Sequence, residues 1–596
     1  MSSTPPRLCI VLLLAMLAPA VSAAQWLKLE SRDVIIYSDG SKRDVVDFAV
    51  GYSAFRQVYR EMFAPPQATP PAVVLLFHSL DDLQQHLPKP DHVDSQTISF
   101  NTNVDGRALV ALALDGDRET ALRQTIEFDT IFQLERSGLY MPIWLSQGAG
   151  EVLQNMRIKK NTCVVGAGYT GFEEQWQWAG SLSWPRFFEV TTSSKEYAGP
   201  KAEGLFHAKA WALMHLVLLD RKEGTKVFQG LVAKLQKMDA VEAVQSSLGV
   251  QVDKLDAEIW KHLKSSSTRE IPFDSDGLRK TLVTAPAPEV EVHLQLSNLL
   301  SATGKADQAE IELARAQMLA PDSPGVIEAR ARSAFRERQE GEGVRRYRDA
   351  IAKGSVNPMA YLRSAEQRMR EASGGSDRAG SGGGAAIEAL GEIRKALTID
   401  PSSAQAYVLL GRAMFLLPEL KPEHIDELSV GVSRGPLGGS VRLYRALLCQ
   451  RLERTEEYLA DLRALRDDPL AAAGTRSLAA ERLEKAEVAP VVAAVERLVK
   501  EEKYEDARAT ASQALMRSGS GPSSARFKGM LTWIDESEAF SALRAAVNAR
   551  DWPKVTESGT KFLLEHPKSS VAPTVRRMVE QASRASRPRA STPAAD

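Results

Sequence analysis

Residues 123–153 read "RQTIEFDTIFQLERSGLYMPIWLSQGAGEVL" and decide how the first part of the chain is interpreted. The stretch predicts two helices joined by a short connection, and the second helix begins directly after a proline, as helices often do. Three polar residues on these helices, Glu127, Gln147 and Glu151, are candidates for chemistry. The question is whether this helix pair is an active site.

The composition is that of an ordinary soluble globular protein. The chain has 596 residues, of which 44% are hydrophobic and 25% charged, and this length corresponds to roughly three or four domains, or fewer if part is a repeat array. Its formal net charge is −1, so no broad positive surface is expected. This balance argues against nucleic acid or anionic membranes as partners.

The N-terminal segment, residues 1–23, is predicted to be a cleaved signal peptide. Arg7 precedes an apolar run from Leu8 to Leu17, and the small residues Val21 and Ala23 occupy the −3 and −1 positions of a cleavage site. The apolar run is too short to span a bilayer, although an uncleaved anchor is the alternative. The mature protein is therefore expected to be periplasmic or secreted, without membrane insertion.

Residues 24–270 alternate strand and helix patterns. "DVIIYS", "PAVVLLF" and "RALVALALD" are predicted strands, and "DVVDFAVGYSAFRQVYREMF" is a predicted helix. Two long amphipathic helices are expected in "GLFHAKAWALMHLVLLDR" and "GTKVFQGLVAKLQKM". We predict an α+β domain, followed at 271–288 by a proline-punctuated linker. Cys163 and Cys449, the cysteines of the mature chain, fall in different domains and are expected to remain separate thiols.

Residues 289–583 are predicted to form helical repeats. A 34-residue tetratricopeptide pattern places small, apolar and proline residues at Leu296, Gly304, Ala309, Leu313, Ala316 and Pro321. A second match has Ala389, Ile393, Ala396 and Pro401, followed by Tyr407, Leu410 and Gly411, and weaker copies follow with Ala507, Ala511, Ala514 and Pro567. An irregular helical bundle is the alternative. The stretch "SGGSDRAGSGGG", residues 373–384, is expected to be a flexible loop, and residues 584–596 a disordered tail.

Residues 24–270 resemble the peptidase-MA-like (gluzincin) domain of exported bacterial proteins, which is often followed by tetratricopeptide repeats. That family carries an H-E-x-x-H helix and a P-x-W-x-x-E-G-x-A-E segment, where this chain has "IEFDT" and "PIWLSQGAGE". The resemblance implies an α+β zincin-like domain followed by an all-α repeat solenoid. It places the family's two histidine ligands on Ile126 and Thr130 and its glutamate ligand on Gln147.

The same resemblance implies that the zinc chemistry is lost. Isoleucine has no ligating atom, threonine is a poor neutral ligand and glutamine has no charge, so we expect no metal, no cofactor and no catalytic residue here. Glu127 keeps the place of the general base, while Trp144, Gly148 and Glu151 keep the surrounding frame. Without a metal, Glu127 is expected to pair with Arg123 or another polar group.

The remaining histidines show no standard ligand spacing. His207 and His215 lie eight residues apart on one predicted helix, too far apart along its axis for one metal ion. His78, His86 and His92, with Asp91 and Asp94, form an acid-and-histidine cluster that is interpreted as a helix cap and turn rather than a metal site. "VVGAGYTG", residues 164–171, lacks the spacing of a phosphate loop and is interpreted as a turn.

These observations favour a binding function over catalysis. We expect an exported pseudo-peptidase whose repeat groove binds a protein or peptide partner. One alternative is an active hydrolase with a non-standard site built on Glu127 and Glu151, and another is a cell-envelope assembly factor.

Overall fold

The computed structural model describes residues 25–64, 70–88, 99–115, 117–159, 161–168, 176, 182–198, 203–219, 223–265, 267–374, 381–433, 435–518 and 522–586. The predicted signal peptide and residues 587–596 of the predicted tail lie outside this description. The chain divides into two compact units, one comprising Met1–Arg454 with Leu470–Ala472 and the other Thr455–Pro469 with Ala473–Asp596.

A six-stranded mixed sheet organises the N-terminal part of the first unit. Its strands are β1 (Leu27–Glu30), β2 (Val34–Ser38), β3 (Ala72–Phe77), β4 (Ser99–Val104), β5 (Arg107–Ala113) and β9 (Thr284–Pro286), and their order across the sheet is β4-β5-β3-β2-β1-β9. The central strands β2, β3 and β5 are parallel, while β1, β4 and β9 pair antiparallel with their neighbours. Every residue of β3 is buried, which explains its uninterrupted Val and Leu sequence.

The helices of this α/β region cover the sheet and extend its core. They are α1 (Lys42–Phe63), α2 (Leu80–Gln84), α3 (Arg118–Glu135), α4 (Ile143–Gln154), α5 (Trp184–Phe188), α6 (Lys195–Ala198), α7 (Glu203–Leu219), α8 (Gly224–Leu235), α9 (Ala240–Leu248) and α10 (Leu255–Lys264). Helix α7 was expected to be amphipathic, but its described side chains are buried on nearly all sides. Even Lys209 is buried, with its ammonium 4.0 Å from the ring centre of Trp184.

A fully buried ion pair joins α1 to α3. Arg56 Nη1 lies 2.8 Å from Asp129 Oδ2, and both side chains are inaccessible to solvent. The same carboxylate accepts hydrogen bonds from the Tyr52 hydroxyl at 2.7 Å and from the Gln133 amide at 2.9 Å. Because both oxygens of the buried carboxylate have donors, the pair fixes the rotation of α3 about its axis.

The segment predicted to be a linker, residues 271–288, is instead built into the fold. Strand β8 (Arg269–Pro272) pairs with β7 (Thr162–Val165), which also pairs with β6 (Arg157–Lys159), in a three-stranded antiparallel sheet. After α11 (Ser275–Thr281), β9 pairs with β1 at the edge of the large sheet. The linker prediction was wrong because prolines are tolerated on edge strands, where few ladder bonds are needed.

Helix pairs follow, as the repeat pattern predicted. They are α12 (Glu289–Ala302) with α13 (Ala306–Leu319), α14 (Pro324–Arg336) with α15 (Glu340–Ala352), α16 (Pro358–Gly374) with α17 (Ser381–Ile399), and α18 (Ala404–Leu416) with α20 (Pro436–Arg451), the last pair enclosing the short α19 (Glu423–Ser429). Ala309, Leu313 and Ala316 are buried at the α12–α13 contact. Gly304 has a φ of +78° in the turn between these two helices, which favours glycine.

The glycine-rich stretch 373–384 is only partly a loop. Gly374 ends α16 and Ser381 begins α17, so residues 381–384 are helical, and residues 375–380 lie outside the described part. The flexible-loop prediction was therefore too long at both ends.

The α/β region and the first repeats pack together within this unit. Val292, Leu296 and Leu299 of α12 complete a core on the outer face of the sheet. The Tyr37 hydroxyl donates to Glu291 at 2.6 Å, and Arg136 forms an ion pair with Asp400 at 2.6 Å. Apolar and polar contacts thus both cross the boundary that the sequence placed between two domains.

The second unit is entirely helical where it is described. It contains α21 (Thr455–Asp467), α22 (Ala473–Lys500), α23 (Tyr504–Ser518), α24 (Pro522–Asn548), α25 (Trp552–Glu565) and α26 (Ala572–Ala585), each packed against the next. Ala507 and Ala511, predicted as small repeat positions, are fully buried. In the described part of either unit, no helix has both the length and the apolar composition needed to cross a membrane.

The buried ion pair gives a stability prediction. Asp129→Ala leaves the Arg56 guanidinium buried without its counter-charge, so we expect a loss of about 3–5 kcal/mol of unfolding free energy. The matched control is Glu427→Ala, which removes the partly exposed partner of Arg394 and is expected to cost about 0–1 kcal/mol. Urea unfolding of the intact chain measures both, and equal shifts for the two variants would contradict the prediction.

Candidate functional site

The helices quoted at the outset, α3 and α4, carry part of a polar cluster of side chains, and the space between the helices that holds this cluster is called the cleft below. Helix α3 begins at Asp117, whose carboxylate accepts hydrogen bonds from the backbone N–H groups of Glu119 and Thr120, both at 3.1 Å. Helix α4 begins after Pro142 and packs against both α3 and α7. The predicted helix pair is therefore present, and α7 adds a third helix.

The three positions assigned to the family's zinc ligands are buried in the protein interior. Ile126 is 2% exposed, Thr130 is 0% exposed and Gln147 is 3% exposed. The Thr130 hydroxyl donates to the backbone oxygen of Ile126 at 2.7 Å. Ile126 and Thr130 thus take part in core packing and helix hydrogen bonding.

Gln147 is the hydrogen-bond partner of the Glu127 carboxylate, for which the sequence suggested Arg123 or another polar group. Its amide nitrogen lies 2.5 Å from Glu127 Oε1, and its amide oxygen accepts a bond of 3.5 Å from the Tyr197 hydroxyl. The expected hydrogen-bonded pair between Glu127 and Arg123 is absent among the described contacts, since Arg123 donates to Asn155 at 2.5 Å. A polar partner inside the cleft, which was the second expectation, is what the structure contains.

Three helices bring Glu127, Glu151 and His207 together. One ligating atom from each residue lies within 4.8 Å of the others. His207 Nδ1 is 2.8 Å from Glu151 Oε1, and the Gln154 amide donates to the other oxygen of Glu151. The cleft thus contains two carboxylates and one imidazole, supplied by α3, α4 and α7.

Burial and like charge act on Glu127 in the same direction. Burial, and then the neighbouring Glu151 carboxylate, raise the pKa of Glu127 to about 7. His207 and the Gln147 amide oppose this rise in pKa. The side chain therefore exchanges a proton near neutral pH, in the range that suits a general acid or base.

Sequence reasoning missed His207 as a member of this site. In the sequence, His207 lies eight residues from His215 on the same helix, and the structure separates the roles of the two histidines. His215 is buried, with Nδ1 2.7 Å from His262 Nε2 and Nε2 3.2 Å from the Gly166 carbonyl oxygen. No motif spacing connects α7 to α3 or α4. The sequence indicated only that His207 lies on a predicted helix and has no assigned role in core packing.

The other candidates considered in the sequence take ordinary structural roles where they are described. His86 Nδ1 bonds to the Asp82 backbone oxygen at 2.8 Å, at the end of a short helix, as a cap and turn would require. Residues 91–98, with Asp91, His92 and Asp94, lie outside the described residues. Cys163 and Cys449 are both buried and are not joined to each other.

Part of the chain is similar to a solved structure. No protein-family model matches the chain, and no curated protein matches it. Among solved structures, the chain is similar to the crystal structure of a thermophilic tetratricopeptide-repeat protein from Thermus thermophilus, at 20% identity and a TM-score of 0.24. That match covers 33% of this chain and 98% of the other. The repeat assignment rests on the helix pairs and buried alanines described above, and the peptidase-MA-like assignment stays a prediction.

Gly148 determines how closely α4 approaches α7. A Cβ added there would lie 2.2 Å from the backbone oxygen of Ala210, so one helix would have to move. We expect Gly148→Ala to destabilise the protein by about 1–3 kcal/mol or more. Gly230→Ala on α8 is the control: nothing lies within 4 Å of the added atom, and a gain of about 0.5–1 kcal/mol is expected. Thermal unfolding of both variants tests this, and a neutral Gly148→Ala would show that the helices do not pack this closely.

The buried histidine pair predicts acid sensitivity. Burial lowers the pKa of His215 to about 4, below the value of about 6.5 expected in the unfolded chain. The unfolded state therefore binds a proton first as the pH falls, and stability is lost between about pH 6.5 and 4. His215→Gln keeps polar atoms without titrating, so wild type should lose about 1–2 kcal/mol more than this variant between pH 7 and 5. Urea unfolding at the two pH values measures this. Equal losses of unfolding free energy in wild type and in His215→Gln would contradict the prediction.

Proposed function

We propose that this chain is an exported protein-interaction scaffold. In this proposal, a peptidase-MA-like domain without the family's zinc ligands precedes tetratricopeptide-like repeats that bind a segment of a protein or peptide partner. A periplasmic or secreted location is part of the proposal and is supported by the signal-peptide pattern of residues 1–23. The net charge of −1 gives no support to a nucleic acid partner.

One observation carries the proposal: the first helices of the repeats already hold a turn of the same chain. Asp105, in the turn between β4 and β5, accepts hydrogen bonds from Arg332 on α14 and from Asn357 at 2.8 Å, just before α16. Asp105 has a φ of +51° and projects its carboxylate toward these donors. The face of the repeats therefore has groups suited to an acidic segment, held by charge-assisted bonds.

The same face has room beside the turn. A cavity of about 370 Å³ lies between the turn and the first helices. Its lining includes Asn298, Ser301, Arg332, Phe335, Arg336 and Arg363. Because arginines and an aromatic ring line this space, it suits an extended or acidic partner segment better than a purely apolar one.

A second candidate function is hydrolysis at a non-standard site. The structure favours it in one respect, because Glu127 and Glu151 lie in the same cleft with His207 beside them. General acid and general base roles require two groups whose environments give them different pKa values. Glu127, with its raised pKa, supplies one of these two groups. Binding remains the preferred function because Ile126, Thr130 and Gln147 occupy the positions of the family's three zinc ligands.

Site-specific photo-crosslinking tests the scaffold. We expect p-benzoylphenylalanine at the position of Arg336, on a first helix, to crosslink one defined partner in cell-envelope fractions. The same group at the position of Arg315, an exposed residue on the second helix α13, is the matched control and should give no such product. Asp105→Ala should increase the crosslink at Arg336 several-fold, because the turn then holds the face less tightly.

Two results would count against this function. Equal products from both positions, or none from either, would show that the first-helix face is not the binding surface. Hydrolysis of a peptide mixture by the purified protein, abolished by Glu127→Gln, would favour the hydrolase instead.

A further inference from the structure

The cleft between α3, α4 and α7 has a ligand set that differs from the one the resemblance assigned. Relative to the family's positions, the ligating groups move one residue along α3, from Ile126 to Glu127, and one turn along α4, from Gln147 to Glu151. The third group, His207, comes from a helix that supplies none of the assigned ligands. The set is therefore distinct from the lost zinc site, although it lies on the same helix pair.

Distances in the cleft are close to those of a coordinated ion. Zinc bonds to nitrogen and oxygen are about 2.0–2.2 Å long, so ligands in a tetrahedral site lie about 3.4 Å apart. The ligating atoms of Glu127, Glu151 and His207 lie within 4.8 Å of one another, and His207 and Glu151 are already 2.8 Å apart. For all three to bind one ion, the direct contact between His207 and Glu151 has to open slightly and Glu127 has to move closer to them.

Either a proton or a cation can balance the charge of the cleft. Glu151 is 4% exposed and Glu127 is partly buried, so two carboxylates share a partly desolvated space with a single imidazole. Like charges at this separation destabilise each other unless a proton or a cation neutralises them. The Gln147 amide binds one oxygen of Glu127 but contributes no charge.

We infer that Glu127, Glu151 and His207 bind one divalent transition-metal ion, of which Zn²⁺ suits the mixed carboxylate and imidazole set best. Three protein ligands leave a fourth position for water or for a carbonyl or carboxylate of a bound segment. Gln147 orients Glu127, and Gln154 orients Glu151, as partners of metal ligands commonly do. This inference is independent of partner binding by the repeats, because it concerns the α/β region alone, whereas a water molecule at the fourth position would serve the hydrolase alternative.

Metal binding to the full-length mature protein tests the inference. After removal of metal with a chelator, we expect isothermal titration with Zn²⁺ to give one ion per chain, with weaker binding of Mn²⁺ and little of Mg²⁺. Glu127→Gln, Glu151→Gln and His207→Asn should each weaken Zn²⁺ binding by about 100-fold or more, since loss of a ligand exceeds the loss from an orienting partner. The control is Glu312→Gln, which changes another glutamate paired with a histidine, His293 at 2.6 Å, and should leave binding unchanged.

A second measurement covers variants that fold poorly. Bound Zn²⁺ should raise the Tm of wild type and of Glu312→Gln but not that of any folded cleft variant, because only binding to the native state adds stability. Absence of stoichiometric Zn²⁺ in wild type would overturn the inference. Binding that survives all three cleft substitutions would also overturn it and would place the ion elsewhere, with His86→Asn as the first variant to test that alternative.

Discussion

The buried pair of Arg56 and Asp129 determines how α3 faces the rest of the α/β region. Residues two apart on a helix point about 200° from each other, so fixing Asp129 toward α1 directs Glu127 to the opposite side, toward α4 and α7. Ile126 and Thr130 then lie on flanks that contact the core, which matches their burial. One buried ion pair thus directs Glu127 into the cleft and turns Ile126 and Thr130 toward the core.

The cleft is costly to maintain without a function. Two carboxylates and an imidazole are held together by hydrogen bonds from Gln147 and Gln154, and the close approach of α4 to α7 at Gly148 keeps them in place. A hydrophobic replacement of similar volume would avoid the desolvation of these groups. Binding of a cation and proton exchange at Glu127 are both physical uses of such a cluster, and they predict different responses to added metal.

The repeats follow the α/β region in the sequence and also contact it directly. The outer face of the sheet shares a core with α12, and the turn at Asp105 rests on the first helices of the next pairs. In the proposed function, a partner would bind this face either beside that turn or by displacing it. If the turn is displaced, the free energy needed to move it lowers the apparent affinity for the partner.

Much of the fold is determined by the sequence alone. The β-branched runs at residues 34–38 and 72–77 predicted the central strands, and the 34-residue period with Ala309, Leu313 and Ala316 predicted the repeat helices and their buried positions. The assignment of Ile126, Thr130 and Gln147 to one helix pair needed only the motif spacing. Each of these features follows from local periodicity, which the order of residues contains.

The tertiary structure alone decided how distant segments meet. It brought His207 to Glu127 and Glu151, incorporated the supposed linker as β9, and placed Asp105 against Arg332. None of these contacts has a sequence spacing, because each depends on the angle and distance at which separate helices and strands pack. Periodicity shows which side of an element is buried, whereas the identity of the partner across that interface follows only from the packing of the whole unit.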